Sequence, residues 1–146
     1  MIEETFPGHG IIIYDPPRAN MKRRIDGWCV IEIDREITRY YRWWVKRALH
    51  LELFQPSWDA HCSCVRGEKI RPGFERHWKK YDRQKVSFRY GHNVRYSGDT
   101  TGSDRPDYFW FVEIYCPMID QLRGELGLQT FYKYHLTVGR TYPISR

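Results

Sequence analysis

The sequence predicts an α+β fold of duplicated β-α-β units, bilobal, with antiparallel-rich sheets around a central cleft. Three observations predict it. Hydrophobic spacing gives strand, helix, strand twice in chain order. The first strand of each set carries a similar tetrapeptide, Val30-Ile31-Glu32-Ile33 and Phe111-Val112-Glu113-Ile114, and each helix leads to a strand with a histidine near its start. A chain of 146 residues with 41% hydrophobic content fits one domain. Lobe one then spans about 28–67, lobe two about 86–140, and residues 1–27 form an N-terminal loop segment.

Each element has its own justification. Ile11-Ile12-Ile13-Tyr14 makes one short strand in the N-terminal segment, before the Pro16-Pro17 turn and the basic stretch Lys22, Arg23 and Arg24. Trp28 to Asp34 is apolar enough for a buried strand. Arg35 to His50 has helical spacing, with Ile37, Tyr41, Trp44, Val45 and Leu49 on one broad face. Ala60 to Arg66 is short, rich in cysteine and stopped by Gly67, as a strand would be. A basic helix is expected over Phe74–Tyr81, a strand over Val86–Tyr90 and a loop over Ser97–Pro106. Tyr108 to Tyr115 is an aromatic strand, Pro117 opens a helix ending near Gly127, and Tyr132 to Arg140 is the last strand.

Composition narrows the function. The net charge of +6 and pI near 9.2 favour a polyanionic partner, because phosphate attracts Lys and Arg at long range. Six Trp and eleven Tyr are more than a small core buries, which leaves rings for stacking on bases. Four cysteines without a leader segment imply a reduced, cytoplasmic setting, and no apolar run is long enough for a membrane helix.

The chemistry rests on two short motifs. Residues two apart on a strand share a face, so His61 and Ser63 point one way, as do His135 and Thr137. Cys62, Cys64, Leu136 and Val138 take the reverse face and suit a core. Imidazole can be neutral in one copy and protonated in the other near neutral pH, so one histidine can accept a proton while the other donates one. The hydroxyls can steady charge building on phosphate oxygens. Such chemistry requires no metal or cofactor. A bare H-x-[ST] is common by chance; its recurrence on matched strands half a chain apart gives it weight.

The paired motifs His61-Cys62-Ser63 and His135-Leu136-Thr137 resemble the two-histidine (2H) phosphoesterase superfamily. That group includes RNA 2′,3′-cyclic phosphodiesterases and small phage anti-CBASS enzymes that destroy cyclic dinucleotide and trinucleotide signals. The resemblance covers roughly residues 28–140 and implies a bilobal fold with both histidines in a cleft. It also implies a metal-independent hydrolase with His61, Ser63, His135 and Thr137 as catalytic residues. Ser63 stands where many members carry Thr. The short length looks most like the phage enzymes, where a ribose 2′-hydroxyl attacks the adjacent 3′–5′ phosphodiester. A cyclic di- or trinucleotide is then the expected substrate, met in the host cytoplasm if the gene is phage-borne, with no obligate protein partner. Processing of RNA 2′,3′-cyclic phosphate ends is the alternative within the same resemblance.

Other residues carry weaker expectations. Arg66 and Arg140 occupy matching places after the motifs; regular alternation puts them on the reverse face, where they are structural unless they swing round at the strand ends to bind phosphate. Tyr14, Trp78 and Tyr90, each beside a basic or loop-rich segment, are the candidate base-stacking rings. Cys62-x-Cys64 lacks the second pair a zinc site needs. Gly8-His9-Gly10 reads as a flexible loop, lacking the helix that completes a phosphate-binding turn. His50, His77 and His92 have no hydroxyl partner and suit the surface. A non-catalytic RNA-binding module using rings of Tyr108–Tyr115 is the reading outside enzymology.

Overall fold

The computed structural model describes residues 4–17, 27–56, 58–99, 107–130 and 133–141. Lys22, Arg23, Arg24, Tyr132 and most of the expected Ser97–Pro106 loop lie outside them. Within the described residues the strands are β1 (Thr5–Tyr14), β2 (Trp28–Ile33), β3 (His61–Arg66), β4 (Lys85–Gly91), β5 (Arg95–Asp99), β6 (Asp107–Tyr115) and β7 (Tyr134–Arg140). Helix α1 (Arg35–Leu49) joins β2 to β3, and α2 (Pro117–Glu125) joins β6 to β7.

The strands run in the order β4-β1-β2-β3-β7-β6-β5, every neighbour antiparallel, and β4 also pairs with β6 through Arg89↔Tyr115 and Tyr90↔Ile114. Six strands therefore close into an antiparallel barrel, and β5 is appended to β6. This corrects the expectation of a bilobal, duplicated β-α-β fold. Each helix connects two antiparallel neighbours, and the strands of both halves share one sheet in which β3 lies beside β7. Local spacing dictates which segments are strands, but not their partners, which are chosen by contacts far apart in the chain.

The N-terminal segment differs from expectation too. Thr5–Tyr14 is a ten-residue strand, not a loop with a short one, and it pairs with β2 on one side and β4 on the other. Gly8 and Gly10, which suggested a loop, are there for space. A Cβ on Gly8 would stand 2.7 Å from the Phe88 ring, and one on Gly10 would collide with the Glu32 carbonyl. Over Phe74–Tyr81 only a single 3₁₀ turn, Glu75–His77, forms, and Lys79 and Arg83 take positive φ that a helix excludes.

One face of the strands makes the core. Cys62, Cys64, Leu136, Val138 and Val112 are fully buried and cluster with Tyr41 and Val45 of α1 and Ile119 and Leu122 of α2. Asp34 caps α1 by accepting from the Glu36 amide, and His50 ends it in the left-handed region. Of the broad face expected for α1, Tyr41 and Val45 are buried, whereas Trp44 and Leu49 are exposed. Arg123 of α2 is fully buried. It donates to Glu68 at 2.7 and 2.8 Å and to the Cys64 carbonyl at 2.9 Å, tying the helix to the end of β3.

Candidate active site

Strand β3 pairs with β7 at Cys62↔Leu136. Counting one residue outward in each direction sets His61 level with Thr137 and Ser63 level with His135. All four side chains are half-buried and stand on the face turned away from the core, where the alternation of both strands puts them. The two histidines are diagonal neighbours, a relation that places residues about 7–8 Å apart in a regular antiparallel pair, with their Cβ atoms somewhat closer. Rings that close can serve a single phosphate.

Both expected arginines join this face, contrary to plain alternation. The β2–β3 register slips between Cys29↔Val65 and Val30↔Ser63, which leaves Cys64 as an extra residue. The β6–β7 register slips between Trp110↔Gly139 and Phe111↔Thr137, which leaves Val138 extra. Each bulge buries two consecutive residues, Cys64-Val65 and Val138-Gly139, and turns the next residue over. Arg66 and Arg140 thereby emerge beside the His, Ser and Thr side chains. Arg140 lies over the Phe109 ring at 5.3 Å.

The environments of the two histidines differ. His61 Nδ1 lies 2.8 Å from the Asp59 carbonyl, an atom that can only accept, so Nδ1 carries the hydrogen and Nε2 is the proton-exchanging nitrogen. Its ring stacks on Trp58 with centroids 4.1 Å apart and planes at 25°. Its register partner on β2 is the exposed Glu32. His135 packs against Phe111 at 5.3 Å and has Glu113 as its register partner. Burial lowers the His135 pKa, and the charge of Arg66 lowers it further, so its neutral form prevails at neutral pH. Burial raises the pKa of Glu113, but hydrogen bonds from Tyr115 and Lys133 and the charges of Lys133 and Arg95 outweigh it. Its carboxylate stays ionised.

Two hollows flank the quartet. One of about 360 Å³ opens beside His61, between Glu32, Arg35, Trp58 and Asp59. Another of about 440 Å³ opens beside His135 and Thr137 and is floored by Phe109 and Phe111, with Ser97 on its rim. A third, of about 540 Å³, lies elsewhere against α1 and contains neither motif.

The candidate stacking rings fall away from the quartet. Tyr14 is 5% exposed, points into the core and meets Trp78 edge-on at 4.8 Å. Trp78 is half-buried and donates its indole N–H to Asp15. Tyr90 lines the third hollow with Phe6, Tyr41 and His92. Sequence offered no local sign that a ring beside a turn would be absorbed by tertiary packing. Of the aromatic rings that do stand at the site, Phe109 and Phe111 belong to the Tyr108–Tyr115 strand expected to stack bases only in the RNA-binding alternative, whereas Trp58, and any site role for Glu32 and Glu113, carried no expectation. A signal existed for the two carboxylates: they are the shared third residue of the echoed tetrapeptides, and each lies level with a motif histidine.

Cys62 and Cys64 face the core as expected. Burial pushes the Cys62 thiol up to about 12, and a hydrogen bond with Cys29 together with burial raises Cys64 well above its ordinary value, so both stay protonated. Among the described residues, no helix is long and apolar enough to cross a membrane. Compared with family models, curated proteins and solved structures, the chain matches none.

Proposed function

We propose that this chain is a metal-independent phosphodiesterase in which His61, Ser63, His135 and Thr137 act together on one phosphate. The observation that supports the reading best is the β3–β7 pairing, which puts the two motifs side by side on one face. One histidine removes a proton from the attacking oxygen and the other supplies one to the leaving oxygen, a division usually worth about 10²–10⁴ in rate per group. The serine and threonine hydroxyls hold the non-bridging oxygens, and Arg66 and Arg140 attract and orient the phosphate.

The substrate we assign is a cyclic 3′–5′-linked oligonucleotide, opened by attack of the neighbouring ribose 2′-hydroxyl, as the resemblance to the two-histidine enzymes implies. A tethered nucleophile needs only alignment and deprotonation. A hollow on each side of the quartet suits a phosphate with a nucleoside on either flank, and the charge of +6 suits a polyanion. The cytoplasm is where such a signal would be met.

The test is incubation with cyclic dinucleotides, cyclic trinucleotides and an RNA 2′,3′-cyclic phosphate, each with excess chelator. Ribose-linked rings should be cut with chelator present, and a 2′-deoxy cyclic dinucleotide should bind uncut. Cleavage of the deoxy ring at the ribose rate would make water the nucleophile and move the RNA-end reading ahead. No cleavage of any substrate would remove the enzyme reading in favour of the RNA-binding module.

A further inference from the structure

His61 and His135, diagonal neighbours across β3 and β7, occupy opposite electrostatic settings, and the contrast can be followed through the elements that surround them. Around His61, β2 contributes the carboxylate of Glu32. The segment before β3 contributes Asp59, whose carbonyl meets Nδ1 and whose carboxylate is paired with Arg35 at 3.2 Å. Arg42 of α1 also feels that carboxylate while donating to the Val138 carbonyl. On the open side the flat face of Trp58 covers the ring. A carbonyl acceptor, a π face and an uncovered carboxylate all favour imidazolium over imidazole.

Around His135 the balance is reversed. Strand β3 brings Arg66. Strand β6 brings Glu113, but that carboxylate is already engaged by Lys133 at 3.4 Å, Arg95 at 3.8 Å and the Tyr115 hydroxyl at 2.8 Å. Three cations against one anion leave this side of the face positive, while Phe111 excludes water from the ring. Neutral imidazole is favoured there.

From this contrast we propose, resting on the phosphodiesterase reading above, that His61 is the proton donor and His135 the base, with Trp58 as the positioning residue that keeps His61 charged and turned. In the step, neutral His135 takes the proton of the 2′-hydroxyl as its oxygen bonds to phosphorus. The P–O5′ bond breaks, and the leaving oxygen receives the Nε2 proton of His61. The products are a 2′,3′-cyclic phosphate and a 5′-hydroxyl, with one proton taken up and one released by the pair. Solvent exchange then restores both rings.

The order of the two titrations can be read in the free protein, without substrate, from the histidine ring signals in NMR. His61→Gln and His135→Gln spectra identify the two resonances among six histidines. We expect His61 to titrate above His135. Trp58→Leu should lower His61 by about half a pH unit, the value of an exposed cation–π contact, and leave His135 in place. Trp58→Phe, which keeps a π face, should restore part of the shift and serves if the Leu variant does not fold. In the cyclic dinucleotide assay the alkaline limb of kcat/KM should move with His61 in the same variants. A His135 titrating above His61 would overturn the assignment, as would a His61 indifferent to Trp58→Leu in a folded protein. Rings in the expected order in a protein that cuts no substrate would instead refute the phosphodiesterase reading on which the assignment rests.

Discussion

Replacing Arg123 with Met removes a fully buried guanidinium while keeping most of its volume, so the loss is of charge and hydrogen bonds, not of packing. In the parent the group donates to both oxygens of Glu68, to the Cys64 carbonyl at 2.9 Å and to the Gln129 carbonyl at 2.6 Å. Breaking a buried ion pair by removing one partner costs about 3–5 kcal/mol. The Glu68 side chain is 30% exposed and can recover water, which draws that figure toward its lower end. The Cys64 carbonyl cannot recover water, and a buried acceptor left without its donor costs about 1–3 kcal/mol. Together we expect about 4 kcal/mol, a fall in Tm of roughly 10 °C for a chain of this size. Hydrogen bonds from Arg123 hold the Glu68 carboxyl below its usual range, against the opposing effect of its partial burial. A depressed carboxylate pKa stabilises the fold above the unfolded value of about 4.3, and that contribution is lost as pH falls through the folded value. The gap between parent and variant should therefore narrow when thermal unfolding, followed by near-UV circular dichroism, is moved from neutral to acid pH. A Tm within about 2 °C of the parent, or a gap that does not close in acid, would refute the argument that this pair ties α2 to β3.

Ser63→Ala and Thr137→Ala should each lower kcat by about tenfold, less than either His→Ala variant, because each removes one neutral hydrogen bond to phosphate; steady-state rates on the best cyclic substrate check this. The His61→Ala, His135→Ala double variant should be little slower than the singles, since both groups serve one proton-transfer event. Gly10→Ala should destabilise by more than about 1 kcal/mol in urea unfolding, because its Cβ would meet the Glu32 carbonyl and lie 2.6 Å from a methyl of Ile31.

What was legible in the sequence follows from what period and spacing encode. Alternation along a strand is local, so the shared face of His61 with Ser63, and of His135 with Thr137, could be read directly, as could the core-facing cysteines. The helix expected over Arg35 to His50 could be read from its spacing and runs over Arg35–Leu49, while its Asp34 cap reads in the sequence as the end of the preceding strand. Alternation alone leaves the face of Arg66 and Arg140 open between the reverse side and a turn at the strand ends, because a bulge adds a residue that no local pattern marks; Cys64-Val65 and Val138-Gly139 look like any apolar pair. β1 was hidden by glycines that serve neighbours distant in sequence, Phe88 and Glu32. Barrel closure through β4 and β6 and the burial of Tyr14 under Trp78 are tertiary outcomes of the same kind.

The adjacency of β3 and β7 has a mechanical consequence. Had the two histidines stood on separate lobes, their spacing would vary with a hinge, and turnover would wait on closure. On paired strands the spacing is pinned by the ladder, about 4.8 Å from strand to strand, so the proposed site would be assembled before any ligand arrives. Such a site gains nothing from a clamshell motion. Its radius of gyration should be the same with and without a bound cyclic nucleotide, and its rate should be set by chemistry or product escape and not by breathing of the scaffold.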